Sequence, residues 1–226
     1  MRYRAIATDY DGTLATDGVV DEITLAALHR YRDAGGRLLM VTGRELTDLQ
    51  RAFPAVALFD GVVVENGAVF FRPEIDQIQR LGTPLPDAFF SALEEQQVSP
   101  LNRGQVIVST WQPHGEAVQQ TLEAMGLDAR VILNKRSVMV LPTGVSKATG
   151  LQVALAELGL EAREVAGIGD AENDLDLLKS CGLAVAVNNA LPELKAIADK
   201  VTTQSRGAGV QELVDWILDD PDHSSR

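Results

Sequence analysis

Strand-length apolar runs alternate with helix-length amphipathic ones along most of this chain, and that alternation limits its folds more than any other feature. RAIAT at residues 4–8 and GRLLMVT at 36–42 have the near-continuous apolar content of strands buried on both faces. DEITLAALHRYRDAG between them has helical spacing and ends at a glycine. RELTDLQRAF is a short helix stopped by Pro54, and GVVVENGAVFF is a strand, a turn at Asn66-Gly67 and a second strand. Strands separated by helices pair in parallel, which predicts an α/β fold with a doubly wound parallel sheet.

Near residue 72 the rhythm changes. PDAFFSALEEQQ and GEAVQQTLEAMG have helical patterns, GQVIVST reads as a strand, and ARVILN with SVMVL reads as a hairpin around Lys135-Arg136. Two helices beside antiparallel strands make a small α+β unit. After Pro142 the first rhythm resumes with helix SKATGLQVALAELG, strand REVAGIG, helix AENDLDLLKS, strand LAVAV, helix LPELKAIADK, strand VTT and helix GVQELVDWIL. The tail DDPDHSSR is expected to fray. The chain is therefore expected to divide into a core domain, residues 1–71 and 143–226, and an inserted domain, residues 72–142. Its 226 residues suffice for one buried core that carries a smaller module.

Charge and composition remove several functions. A net charge of −12 argues against nucleic acid, whose recognition leans on basic surfaces facing phosphates, but leaves room for a small phosphorylated ligand at one local positive site. The longest apolar runs are strand-sized, so no membrane span is expected. The N-terminus lacks an apolar stretch behind a basic start, and a single cysteine excludes an internal disulfide; both point to a cytoplasmic protein. Cys181 has no histidine near it in sequence and reads as a packed thiol. His29, His114 and His223 are scattered, which argues against zinc.

In an open parallel sheet, ligands bind where the strands reach their carboxyl ends. Asp9 and Asp11 follow the first strand, Thr42-Gly43-Arg44 the second, and Gly169-Asp170 the strand REVAGI, with Asn173 and Asp174 in the next turn. Lys147 opens the helix after the insert, behind Ser146 as a candidate cap. Singly, each has an ordinary explanation. Aspartates after strands form turns or caps, Thr42 can be an N-cap, and first-turn acids suit a helix dipole. A calcium loop fails, because its sixth and twelfth positions hold Leu14 and Val20. Lys147 is the odd member, a cation in a first helical turn, where the dipole opposes it.

Together these residues meet one chemical requirement. Two carboxylates about 4 Å apart repel by on the order of 4 kcal/mol at an effective dielectric near 20, and a bound cation offsets that. Phosphoryl transfer needs a nucleophile, charge neutralisation and a positioned acid/base. One carboxylate attacks phosphorus, a second two residues on protonates the leaving oxygen, and further carboxylates hold Mg²⁺ through hard oxygen ligands. A threonine hydroxyl, helix-start N–H groups and a lysine then hold the phosphoryl oxygens.

DYDGT, VTGR, GVSK and GIGDAENDLDLL resemble the four ordered motifs of the haloacid dehalogenase superfamily. The Asn66-Gly67-Ala68 turn, the TGR triplet, Asn189-Ala190 and the place of the insert resemble its Cof-like branch, with Asn188 a departure from that branch's small residue. The resemblance implies a Rossmann-like core with a type-two (IIB) cap, similar to the phosphoglycolate and sucrose-phosphatase-like members. It implies Asp9 as nucleophile, Asp11 as general acid and then base, and Thr42, Gly43, Lys147 and Asn173 as phosphate contacts. Asp9, the Asp11 backbone carbonyl and Asp170 would hold Mg²⁺, with Asp174 a ligand or its support. The implied activity is hydrolysis of a small phosphomonoester, phosphoglycolate or a sugar phosphate, by a monomer or homodimer. A phosphomutase and a non-catalytic phosphometabolite binder are the alternatives; retention of both Asp9 and Asp11 weighs against the binder.

Alternation along the insert strands places Val106, Val108, Leu133, Val138 and Val140 toward the insert helices. Ser109, Asn134 and Ser137 then share the other face with Ile107, Ile132 and Met139. In capped relatives that face closes over the active site, so Asn134, Ser137 and nearby Arg136 are expected to contact substrate beyond its phosphate. A solvated sheet face is the competing explanation, since a slip of one residue swaps the sets.

Overall fold

The computed structural model describes residues 2–134 and 136–219, without the side chain of Asn134. Lys135 of the expected hairpin turn, and the tail from residue 220 with His223, lie outside the described residues. The chain begins β1 (Ala5–Thr8), α1 (Glu22–Asp33), β2 (Arg37–Val41), α2 (Leu46–Ala52), β3 (Gly61–Val64), β4 (Val69–Arg72) and β5 (Gln77–Arg80). There follow α3 (Asp87–Glu95), β6 (Asn102–Arg103), β7 (Val108–Trp111), α4 (Gly115–Ala124), β8 (Ala129–Asn134) and β9 (Ser137–Pro142). The last part holds α5 (Lys147–Leu158), β10 (Val165–Gly169), α6 (Leu175–Lys179), β11 (Leu183–Ala186), α7 (Pro192–Ile197), β12 (Lys200–Val201) and α8 (Arg206–Asp219).

Eight strands form one sheet in the order β12-β11-β10-β1-β2-β3-β4-β5. The first six in that order run parallel; β4 runs against β3, and β5 runs against β4. β1 is buried throughout because helices cover both faces, which is why its sequence lacks polar alternation. The step β1–α1–β2 runs one way across the sheet and β10–α6–β11 the other, so right-handed crossovers put α1 and α6 on opposite faces. The order reverses between β1 and β10, and there the strand ends leave a crevice. Thr8 is level with both Met40 and Ile168, so the residues just beyond β1, β2 and β10 meet at one edge.

The chain returns to this sheet through α5, whose start is fixed by a capping box between Ser146 and Thr149 and whose end is Gly159 in the left-handed region. Leu151 and Leu155 bury its apolar face. At its N-terminus it meets the β3–β4 turn. Gly67 there has φ +105°, and a Cβ on it would lie 1.9 Å from the Ser146 carbonyl oxygen.

A second, antiparallel sheet has the order β6-β7-β9-β8. Val108, Val138 and Val140 lie under α3 and α4, packed with Phe89, Leu93 and Leu122. Two of the residues expected on that face are elsewhere. Val106 precedes β7, so strand alternation does not reach it, and it joins the core of the large sheet. Leu133 sits on the edge strand close to the hairpin end, beyond helix cover, and is 56% exposed. Met139, Leu141 and Ile107, on the opposite face, also join the large core, so the two sheets share one apolar cluster. β5 was not foreseen: Arg72 pairs with Gln77 within the large sheet, so the boundary expected at residue 72 falls inside a hairpin of that sheet.

Gly67→Ala is expected to lower stability by about 3 kcal/mol, because a side chain there meets backbone, which cannot rotate away. For a chain of this size that is a loss of roughly 6–12 °C in Tm, read by thermal melting followed by circular dichroism. A change under about 2 °C would show that the turn and α5 are not in this contact.

Candidate active site

The edge where β1, β2 and β10 end carries the charged groups. Asp9 follows β1 directly, and its N–H donates to the Ile168 carbonyl at 3.0 Å, which fixes it beside β10. The chain then bends at Gly12, φ +87°, where a Cβ would lie 2.4 Å from Asp170 Oδ2. Only glycine lets the two loops approach so closely. Thr13 Oγ1 donates to Asp170 Oδ1 at 3.2 Å. Asp174 comes from the turn before α6, and its Oδ2 accepts the N–H groups of Asp170 and Ala171 at 3.0 and 3.1 Å.

Lys147 explains its own position. Its Nζ donates to Asp9 Oδ1 and to Asp174 Oδ1, each at 2.6 Å, and the residue is 2% exposed. Two carboxylates offset the helix dipole that opposes a cation in the first turn of α5. Burial works against the ammonium, but Asp174 and Asp9 outweigh it and hold the amine above its usual range. Asp9, Asp170 and Asp174 each bring an oxygen within 4.8 Å of the others, all of them buried. One buried ammonium does not balance three carboxylates. Asp9 is raised to about 7 in sum: burial pushes it up most, Lys147 pulls it down, and Asp174 and Asp170 push it up. A compact, all-oxygen, electron-rich set of this kind suits a hard divalent cation.

Asp11 points elsewhere. Arg44 grips its carboxylate with two parallel bonds, Nε to Oδ2 at 2.7 Å and Nη2 to Oδ1 at 2.8 Å. Arg44 also reaches Asp48 at 2.8 Å and lies 5.1 Å over the Tyr10 ring. The bond to Asp11 is the main reason its guanidinium is held above its ordinary range. Asp11 thus faces the open side with an oriented carboxylate, and its side chain stands outside the buried triad. Thr42 is buried, and its Oγ1 accepts the Arg44 N–H at 3.2 Å. Asn173 Nδ2 donates to Asn66 Oδ1 at 3.1 Å, and Asn189 Nδ2 donates to the Gly12 carbonyl at 2.8 Å.

A cleft of about 840 Å³ opens over this edge. Asp9, Asp11, Thr42, Gly43, Asp170 and Asn173 form its floor. Ile107, Ser109, Trp111, Arg136, Ser137 and Met139 of the second sheet form the facing wall, and Arg51 of α2 reaches in from the side. Lys147 and Asp174 lie behind the floor. The side chain of Asn134 lies outside the described residues. The sequence reading passed over Arg44, which it quoted only within TGR, and Glu65; an Arg two residues past a ligand-contact threonine was the available signal.

The chain is similar to known proteins. Residues 6–94 and 93–214 match the profile of the haloacid dehalogenase-like hydrolases. The chain is 32% identical to the phosphoglycolate phosphatase of Methanothermobacter thermautotrophicus, over 93% of this chain and 97% of that one. It is 30% identical to phosphoglycolate phosphatase 1 of Saccharolobus solfataricus, over 95% and 96%. In fold it is similar to a haloacid dehalogenase-like hydrolase from Bacteroides thetaiotaomicron, with TM-score 0.81, 21% identity and coverage of 95% and 99%. It is also similar to a subclass IIB sugar phosphatase, with TM-score 0.76, 18% identity and coverage of 95% and 99%.

If the buried triad holds a cation, a divalent metal should raise Tm in thermal melts and EDTA should reverse the gain. At a hundredfold excess over Kd the stabilisation is about 2.7 kcal/mol. Asp170→Asn should shrink it. Identical melting with metal and with chelator would rule the triad out as a cation site.

Proposed function

The chain belongs to the haloacid dehalogenase-like hydrolase family, and from that premise we propose that it is a phosphatase that hydrolyses phosphoglycolate or a similar small phosphorylated acid through a phosphoenzyme on Asp9. The observation that carries the reading is the buried Asp9–Lys147–Asp174 group, with each bond at 2.6 Å, whose Asp9 reaches the floor of a cleft that Asp11 also faces. A structural ion pair needs no cleft above it and no second acid two residues on.

Asp9 is the nucleophile. Its carboxylate oxygen forms a bond to phosphorus as the bond from phosphorus to the ester oxygen breaks. Asp11 gives its proton to that leaving oxygen, then takes one from the water that attacks the phosphoenzyme; inorganic phosphate leaves and Asp9 is restored. Arg44 orients the Asp11 carboxylate, the form that takes the proton in the second step. Thr42 Oγ1, the Gly43 N–H, Lys147 Nζ and Asn173 hold the phosphoryl oxygens, which carry the charge of the transition state. Asp9, Asp170, Asp174 and the Asp11 carbonyl would hold Mg²⁺, which when bound would neutralise charge between an anionic nucleophile and a dianionic substrate.

The second sheet with α3 and α4, from about residue 81 to 142, is the cap; its start moves from the 72 expected because β5 belongs to the large sheet. Arg51 and Arg136, neither with an ion-pair partner among the described residues, line the cleft and suit the carboxylate of phosphoglycolate. Ser137 lines the same wall and suits a polar contact with it. The relatives named for phosphoglycolate favour that substrate over the sugar phosphates named for one structural neighbour.

Asp9→Asn keeps the shape and removes the nucleophile, so phosphate release from phosphoglycolate should fall by about 10³ or more. Circular dichroism should still match the wild type. Undiminished phosphate release by the purified variant would exclude Asp9 as nucleophile. Glycolate and phosphate should appear in equal amounts; phosphate returned to the organic product would indicate a mutase.

A further inference from the structure

Glu65 is a buried acid that the mechanism does not use. It stands just past β3, 1% exposed, and the described residues hold no lysine or arginine paired with it. Its backbone has φ +54°, the left-handed region that a glutamate seldom adopts. Its charge is met by three successive backbone N–H groups. Gln105 donates to Oε1 at 2.8 Å, and Val106 and Ile107 donate to Oε2 at 2.8 and 2.9 Å. Backbone N–H groups that donate to both carboxylate oxygens make charge-assisted, directional bonds.

Those three donors belong to the loop joining β6 and β7 in the second sheet. The Gly104 N–H closes that loop on the Ile107 carbonyl at 2.9 Å. A Cβ on Gly104 would lie 2.8 Å from Glu65 Cδ, so glycine is what lets the loop rest on the carboxylate. On the other side, the Glu65 N–H donates to the Arg44 carbonyl at 2.9 Å, which ties the same residue to the loop carrying Thr42. Glu65 itself does not line the cleft, but Ile107 does, and so do Ser109 and Trp111 along β7.

We propose that Glu65 is a positioning residue that bolts the β6–β7 loop to the large sheet and so sets the cleft wall at a fixed distance from the phosphate-binding floor. The covalent crossings near residues 81 and 142 tether the second sheet but leave its tilt over the floor open. The apolar cluster that the two sheets share presses them together without direction, and a carboxylate accepting three N–H groups fixes that tilt. Wall contacts with the remote end of a substrate then help turnover at phosphorus, because binding energy made far from the reacting centre orients it.

The kinetic part of the test rests on the phosphatase reading; the exchange part does not. Glu65→Gln keeps the volume but turns an amide NH₂ toward N–H donors. Hydrogen exchange followed by mass spectrometry should show the amides of residues 105–107 exchanging about tenfold faster, with Tm little changed. KM for phosphoglycolate should rise about tenfold while kcat for p-nitrophenyl phosphate, which needs no wall contact, stays within about twofold. Gly104→Ala should act in the same direction from the opposite side, and the double variant should be no worse than the poorer single one, since both break one contact. Unchanged exchange at 105–107, or equal losses on both substrates, overturns the proposal. If the wild type releases phosphate from neither compound, the phosphatase reading fails, and the exchange result alone decides for or against the bolt.

Discussion

The site depends on one ammonium buried between carboxylates. Lys147 reaches Asp9 and Asp174 at 2.6 Å each, and only Asp9 touches the cleft, so water screens the group little. Removing one partner from a buried pair costs about 3–5 kcal/mol, because the remaining charge stays buried and unpaired. Such a group survives only where several elements converge, and a parallel sheet supplies that convergence. The ends of β1 and β10 are level, and α5 starts beside them, so charges distant in sequence arrive at one point. The excess of carboxylate over ammonium makes the point a place for a cation as well as a structural knot.

Much of this was legible in the sequence, for a physical reason. Parallel strands buried on both faces carry few polar residues and no acids within them, so the polar residues that close each apolar run, Asp9 after Thr8, Thr42 and Asp170, mark the strand ends. Lys147 was legible as an ill-placed charge: its neighbour Ser146 announces a helix start, where a cation is out of place without an anion. The structure puts two anions there. Fixed periodicity was also enough for β9, where Val138 and Val140 turn to the helices and Met139 turns to the cleft.

What stayed hidden lacks a periodic or compositional mark. β5 reads QIQR with every residue exposed, so no apolar alternation announces it; it exists because β4 offers a free edge. Val106 and Leu133 escaped because alternation holds only inside a strand and beneath a covering helix. Arg44 and Asp11 are 33 residues apart, and nothing local distinguishes an arginine that grips an acid from one in water. Asn134 shares the hairpin with Ser137, and its strand pairing says which face its Cα occupies but not what its side chain meets.

The turn at Glu65-Asn66-Gly67 concentrates what could not be read. All three residues have positive φ, at 54°, 53° and 105°. Each non-glycine residue in that region costs on the order of 1 kcal/mol, and a run of them persists only when the surroundings over-determine it. Here each position faces a different neighbour. Glu65 takes the three N–H groups of the second sheet's loop. Asn66 accepts from Asn173 of the cleft floor and donates to Met139 Sδ of the cleft wall at 3.2 Å. Gly67 lets the start of α5 pass close enough to deliver Lys147. Antiparallel pairing of β3 with β4 already demands a tight turn at this place, since Val64 is paired with Val69. The left-handed turn meets that demand and, in the same three residues, holds the loop that forms the wall, the asparagine of the floor and the helix that carries the buried cation. Floor, wall and Lys147 therefore all rest against one short segment of left-handed backbone.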